Sequence, residues 1–261
     1  MQLRKPAVAG SFYPAEPDRL RQQVAELLTD ARTALKITPK ALIAPHAGYI
    51  YSGRIAALAF ATLFDSAPTF TRIVLIGPAH YIAIRGLALP TISAFETPLG
   101  RVPVDHDGLN EITSLPFVSR NDAAHAPEHA LEVELPFLQI LLPSFSLLPL
   151  VVGDATAHEV AQVLARLWGG PETMLVISSD LSHYHSYDTA RRLDAATAEA
   201  IENGDWTGLG PGQACGYLPI AGLLIEADRH KLKARRLSLC NSGDTAGQRD
   251  QVVGYGAWIF G

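Results

Sequence analysis

Short runs of apolar residues alternate along this chain with longer stretches in which apolar residues recur every three to four positions. The short runs predict β-strands at about 41–45, 72–77, 86–90, 147–152 and 173–178, with others near 235–240 and 252–259. The periodic stretches predict helices from Ser52 to Phe64, Glu128 to Leu142, Thr156 to Trp168 and Tyr187 to Glu202. In the first of these, Ile55, Leu58, Ala59 and Leu63 share a face and Ser52 is the expected N-cap. Pro98-Leu99-Gly100 marks a turn, and Gly204 to Gly212 reads as a loop. The longest apolar stretch, Phe137 to Val152, is broken by Gln139, Pro143 and Pro149, which makes it a core helix followed by a strand and not a membrane span. This alternation predicts one α/β domain over residues 1–261, with a central mostly parallel or mixed sheet flanked by helices.

Composition narrows the partners. A net charge of −5 leaves no excess basic field for nucleic acid, and the basic residues are scattered apart from Lys231, Lys233, Arg235 and Arg236. Behind Arg4 and Lys5, the residues Pro6, Gly10 and Pro14 interrupt any apolar run, so neither a signal peptide nor a membrane anchor is expected, and the expected location is the cytoplasm. Two cysteines, Cys215 and Cys240, are too few for a disulfide framework; both are expected as thiols, with a single bridge between them as the alternative.

In an open α/β sheet, ligands bind where loops diverge at the carboxyl ends of the strands. Ala41-Leu42-Ile43-Ala44 runs out into Pro45-His46-Ala47-Gly48-Tyr49, and Ile73-Val74-Leu75-Ile76 into Gly77-Pro78-Ala79-His80. Met174-Leu175-Val176-Ile177 opens into Ser178-Ser179-Asp180-Leu181-Ser182-His183, and the late strand delivers Cys240 followed by Asn241-Ser242-Gly243-Asp244. Imidazole and thiolate are good ligands for iron, copper and zinc, and two histidines with one anionic ligand leave open positions on such a metal. No compact local motif such as HExxH or CxxC is present.

At these residues the sequence resembles the Memo family, and the match runs nearly end to end. It is carried by Ala9-Gly10-Ser11-Phe12-Tyr13-Pro14, Ala44-Pro45-His46-Ala47-Gly48-Tyr49 with Ser52-Gly53, Gly77-Pro78-Ala79-His80, and Glu128-His129-Ala130-Leu131-Glu132 with Leu135-Pro136-Phe137. It continues through Ser178-Ser179-Asp180-Leu181-Ser182-His183, Cys215-Gly216 with Pro219-Ile220, Cys240-Asn241-Ser242 and Gly254-Tyr255-Gly256-Ala257. The resemblance implies a fold similar to class III extradiol dioxygenases, which cleave catechol-type rings with non-haem Fe(II). It implies His46, His80 and Cys240 as metal ligands, with Asp180 and His183 at neighbouring, catalytic positions. Fe(II) is the implied metal, with copper or zinc as alternatives. A cysteine departs from the two histidines and glutamate of the dioxygenases. The partners implied are a small-molecule substrate or a peptide, together with AMMECR-type and radical-SAM proteins.

Each of these residues also has an ordinary structural reading. His46 and His80 could hold their turns through backbone hydrogen bonds, and Cys240 could be an inert buried thiol. Asp180 is a plausible N-cap for a helix from Leu181, and His183 competes with an exposed position beside His185. His129 is a further candidate for the cleft. Cys215 reads as a packing residue before a helix in preference to a nucleophile. Phe12, Tyr13 and Tyr49 are either pocket walls or core. The functional alternatives are a binding module, drawing its charge from Arg54 or Arg85, and a zinc-dependent hydrolase.

Overall fold

The strands predicted as continuous apolar runs form the middle of one large sheet. In the computed structural model, which describes residues 2–32 and 38–261, four parallel strands make that centre: β2 (Ala41–Ala44), β9 (Thr173–Ser178), β3 (Arg72–Pro78) and β8 (Ser146–Val152). They are apolar on both faces because helices cover both, so nothing forces an alternation of polar and apolar residues. Pro149 stands where β8 has β3 as a partner but has not yet met β4 (Leu87–Leu89), which pairs only at Val151 and Val152; a residue without an N–H is tolerated at such an edge.

Antiparallel strands extend this centre on both sides, so the sheet is mixed. On one side β12 (Val252–Phe260) pairs with β2, and it also carries β10 (His183–His185) and β11 (Ala234–Asn241). On the other side β8 pairs with β4, and β4 with β7 (Val118–Arg120). A separate small sheet joins β1 (Leu3–Arg4), β5 (Ala94–Thr97) and β6 (Gly100–Pro103).

Helices α1 (Pro17–Asp30), α2 (Tyr49–Phe60) and α5 (Leu135–Leu141) pack together, with α2 against β2 and β12. Helices α6 (Ala157–Leu167) and α8 (Tyr217–Arg229) pack together, with α8 against β3 and β9, and α7 (Tyr187–Asn203) lies on β11 and β12. Two short helices, α3 (His106–Asn110) and α4 (Asp122–His125), complete the fold. No helix among the described residues is long and apolar enough to cross a membrane.

Three local expectations change. Helix α2 begins at Tyr49 with Gly48 as its N-cap; Ser52 lies inside it and donates to the Ala47 carbonyl. The helix expected from Glu128 to Leu142 is a 3-10 turn at Glu132–Glu134 followed by α5, because Pro136 offers no N–H and its ring obstructs a helical residue four positions earlier. Glu128 and His129 are thereby freed from helical geometry. Asp180 caps no helix: residues after it enter β10, and the next helix starts at Tyr187. The helix α6 meets expectation, with Thr156 and Glu159 forming a reciprocal capping box.

Candidate metal centre

The parallel register brings three carboxyl ends side by side. Ala44 stands level with Ser178, and Ile76 with Ile177, so the turns that leave β2, β3 and β9 rise next to one another. His46, His80 and Asp180 sit on those three turns and line one cleft of about 820 Å³.

His46 is buried and held at two atoms. Its N–H donates to Asp180 Oδ1 at 2.9 Å, and its Nδ1 lies 2.7 Å from Ser178 Oγ. The Ser178 hydroxyl has one proton and two acceptors for it, the Ala130 carbonyl at 2.7 Å and Glu134 Oε1 at 3.0 Å. The serine oxygen must therefore accept from His46 Nδ1–H, which leaves Nε2 with a free lone pair. Glu134, also 3.0 Å from Ser178 Oγ, is fully buried, and burial pushes its carboxyl well above the ordinary range towards the neutral form. The His46 imidazole is held neutral first by burial and then by the neighbouring His80.

His80 is backed by a charge instead of a hydroxyl. Glu128 accepts the His80 N–H at 2.7 Å and faces its Nδ1 at 2.8 Å, while also accepting the Ala130 N–H at 2.9 Å. Burial pushes Glu128 up, but these hydrogen bonds and the His80 charge outweigh it and hold the carboxyl at about 2. A carboxylate behind Nδ1 again turns Nε2 to the cleft, the arrangement by which proteins orient metal-binding imidazoles.

The third soft donor is Cys215. Its loop is anchored to the end of β9: Cys215 N–H donates to the Asp180 carbonyl at 3.2 Å, and Gly216 N–H to Ser179 Oγ at 2.9 Å. A Cβ on residue 216 would stand 2.7 Å from Ser179 Cβ, so glycine permits the approach. Cys215 Sγ ends 3.4 Å from His46 Nε2, and the donor atoms of His46, His80 and Cys215 all lie within 4.8 Å of one another. Burial and the nearby Asp180 charge push the thiol up to about 12.

Cys240, expected in this place, is elsewhere. It pairs with Tyr255 of β12, two strands out from β2, a lateral offset of about 10 Å at ordinary strand spacing. There it lines a separate small pocket with Arg191, Asp194 and Asp244. Both cysteines are free thiols, with no bridge between them.

His183, on β10, lines the cleft as expected, and Asp180 is buried behind it. Burial raises the Asp180 carboxyl against the pull of His183 and of the His46 N–H it accepts. His129 also faces the cleft, stacked on His80 with ring centroids 4.7 Å apart. Burial, then His46 and His80, bring it down to about 4. A second cluster of donors is thus His80, Glu128 and His129. Phe12 is a cleft wall, whereas Tyr13 and Tyr49 are core. Two other histidines serve packing: His125 Nε2 meets the Ala88 carbonyl, and His230 stacks on Trp168. Arg85 is engaged by Glu159 at 2.8 Å, and neither it nor Arg54 lines the cleft.

Among known families, that of Memo-like proteins matches residues 4–259. This chain belongs to the Memo family. A MEMO1 family protein of Aquifex aeolicus is 35% identical, covering 100% of both chains, and one of Archaeoglobus fulgidus is 36% identical, covering 99% of each. In fold the chain is similar to a solved structure, the uncharacterized protein JW3007 from Escherichia coli K12. The TM-score is 0.54 at 14% identity, covering 85% of this chain and 100% of that one. These two Memo relatives are covered over all or nearly all of their length.

Proposed function

We propose that this protein holds one divalent transition metal between His46 Nε2, His80 Nε2 and Cys215 Sγ, and that the metal acts on a small molecule admitted through the cleft. One observation carries the reading: both imidazoles have Nδ1 committed to protein partners, His46 Nε2 lies 3.4 Å from Cys215 Sγ, and His80 brings a ring nitrogen within 4.8 Å of the same sulfur. Two nitrogens and a soft sulfur suit iron, copper or zinc and not magnesium or calcium. Fe(II) is the ion proposed, since two histidines and one anionic ligand with open positions is the pattern of non-haem iron centres that work with oxygen.

Iron or copper there would supply electron transfer, and zinc a polarised water. The chain's own groups supply the rest. Asp180 fixes the His46 turn through the backbone N–H, and Glu128 fixes both the backbone and ring of His80. His183, half-buried on the wall, stands between the cleft and solvent and is placed to carry a proton between them. His129, brought down to about 4 by burial and by His46 and His80, is neutral near pH 7 and lines the wall as a hydrogen-bonding group.

The test is elemental analysis of protein purified without oxygen, wild type beside His46→Ala and His80→Ala. Near-stoichiometric iron in the wild type, lost in both variants at unchanged circular dichroism, is the expected result. Wild-type metal content in either folded variant overturns the ligand set.

A further inference from the structure

The basic run Lys231, Lys233, Arg235 and Arg236 takes no part in the cleft and lies at the other end of the sheet. Ala234, the first residue of β11, pairs with Phe260, and Phe260 with Ala41, the first residue of β2, whereas the cleft opens beyond the last. β11 is also where the sheet stops. β12 pairs with β2, β10 and β11, but β11 pairs with β12 alone among the described residues. One row of its backbone N–H and C=O groups therefore faces outward with no strand to take it.

The side chains along that edge are charged and unpaired. Lys231, Lys233 and Arg235 are exposed, and none of the three forms an ion pair among the described residues. The acids of this corner belong to other bases or stand off: Glu202 pairs with Arg236 and Glu226 with Arg229, while Asp228 lines a pocket of about 90 Å³ with Lys233 without pairing with it. Lys233 N–H reaches the Gly261 carbonyl at 3.4 Å, so the ladder begins one residue before β11, and Lys233 and Arg235 share one face of it. Arg236 is on the opposite face, turned to Glu202 of α7.

Lys231 heads the row from the end of α8 with φ +57°, the left-handed conformation that glycine fills most readily after a helix. Its own N–H and that of Leu232 close the helix on the Asp228 and Ala227 carbonyls. Glycine would make the same turn; the lysine adds a charge.

Pairing of Arg236 with Trp258 and of Ser238 with Ala257 leaves Leu237 as a bulge, which bends the strand and keeps the usable stretch short, from Lys233 to Arg236. Over that stretch a second copy of the edge would bring the same cations, and like charges oppose pairing. A strand with carboxylates at alternate positions meets opposite charge instead.

We propose that the outer edge of β11 takes up a short extended segment of another polypeptide as an added strand, with acidic side chains at alternate positions facing Lys233 and Arg235 and a further one reaching Lys231. Main-chain hydrogen bonds supply the attachment and the cations select for charge. This site depends on neither the metal nor the cleft.

The experiment is an amide NMR titration of the full chain with three capped octapeptides: alternating glutamate and valine, alternating lysine and valine, and alternating glutamate and proline. The first is expected to shift the amides from Lys231 to Arg236 and to slow hydrogen exchange at the outward ones. The proline peptide keeps the charge but lacks half of the N–H groups, and should bind about tenfold more weakly; the lysine peptide should not bind. Lys233→Ser with Arg235→Ser should weaken the glutamate and valine peptide about tenfold. Lys231→Gly should weaken it about threefold at a Tm no lower than that of the wild type, because glycine suits the turn. No shift with that peptide overturns the proposal, as does equal affinity for either of the other two or unchanged affinity in the double serine variant. Shifts confined to the turns of His46 and His80 would move the binding to the cleft and overturn it too. Self-association of the double variant, beside a wild type that binds no peptide, would show that the cations only guard the edge.

Discussion

Cys215 and Cys240 are the two thiols of the chain, yet one stands against two imidazoles in the large cleft and the other against Asp194 and Arg191 of α7. The difference is one of chain path. Cys215 arrives on a loop hydrogen-bonded to the end of β9, the strand between β2 and β3, which is where both histidines emerge. Cys240 ends an edge strand, with β12 between it and the β2 turn. A thiol becomes a candidate ligand by which strand ends its loop is anchored to, and its own position after a strand says little about that.

The largest contrast should appear in metal affinity. Cys215→Ser is expected to weaken metal binding by more than the roughly 10–100-fold that loss of an outer-shell partner causes, whereas Cys240→Ser should leave it unchanged. Titration against a competing chelator measures both; loss in Cys240→Ser with retention in Cys215→Ser would reverse the comparison.

A smaller effect should come from the groups behind the imidazoles. Glu128→Gln removes the charge that orients His80 and should cost about 10–100-fold in metal affinity, and Ser178→Ala, which removes a neutral partner of His46, should cost nearer the lower limit. Asp194→Asn, beside Cys240, should cost nothing by the same assay. A metal defect in that variant equal to that of Glu128→Gln would show that the two regions are not independent.

The smallest effect belongs to the Cys240 region and concerns stability. Burial pushes the Asp194 carboxyl up to about 6, against the Ser182 N–H it accepts and the pull of His185. Its unfolded value is about 3.9, so between about pH 4 and 6 the folded chain keeps a proton that the unfolded chain has released. The wild type should therefore lose stability as pH rises through that window, by at most about 3 kcal/mol, and Asp194→Asn should remove this part of the pH dependence. Urea unfolding at pH 4.5 and 7.5 is the measurement; an identical pH response in the two proteins would place the strain elsewhere.

Much of the fold was legible along the chain. The continuous apolar runs at β2, β3, β8 and β9, and the periodic stretches at α6 and α7, mark their own boundaries to within a few residues. The convergence of His46, His80, Asp180 and His183 on one cleft was legible too, because parallel strands must end on one side and loops leaving adjacent ends must meet. Less legible was the segment from Glu128 to Glu134. Its charged and apolar residues continue a helical pattern, and only Pro136 signals the break that lets Glu128 reach His80 and His129 face the cleft. Cys215 follows no strand at all, and the one local hint was the glycine after it, whose missing side chain admits Ser179.

Local order in this protein thus follows from residue pattern, since backbone hydrogen bonding and the burial of apolar faces act over a few neighbours. The identity of the third donor and the carboxylate behind His80 depend on strand order and loop anchoring. Those are contacts between segments as many as 169 residues apart, where Cys215 meets His46, and spacing along the chain carries no record of them. They form only when the sheet is assembled.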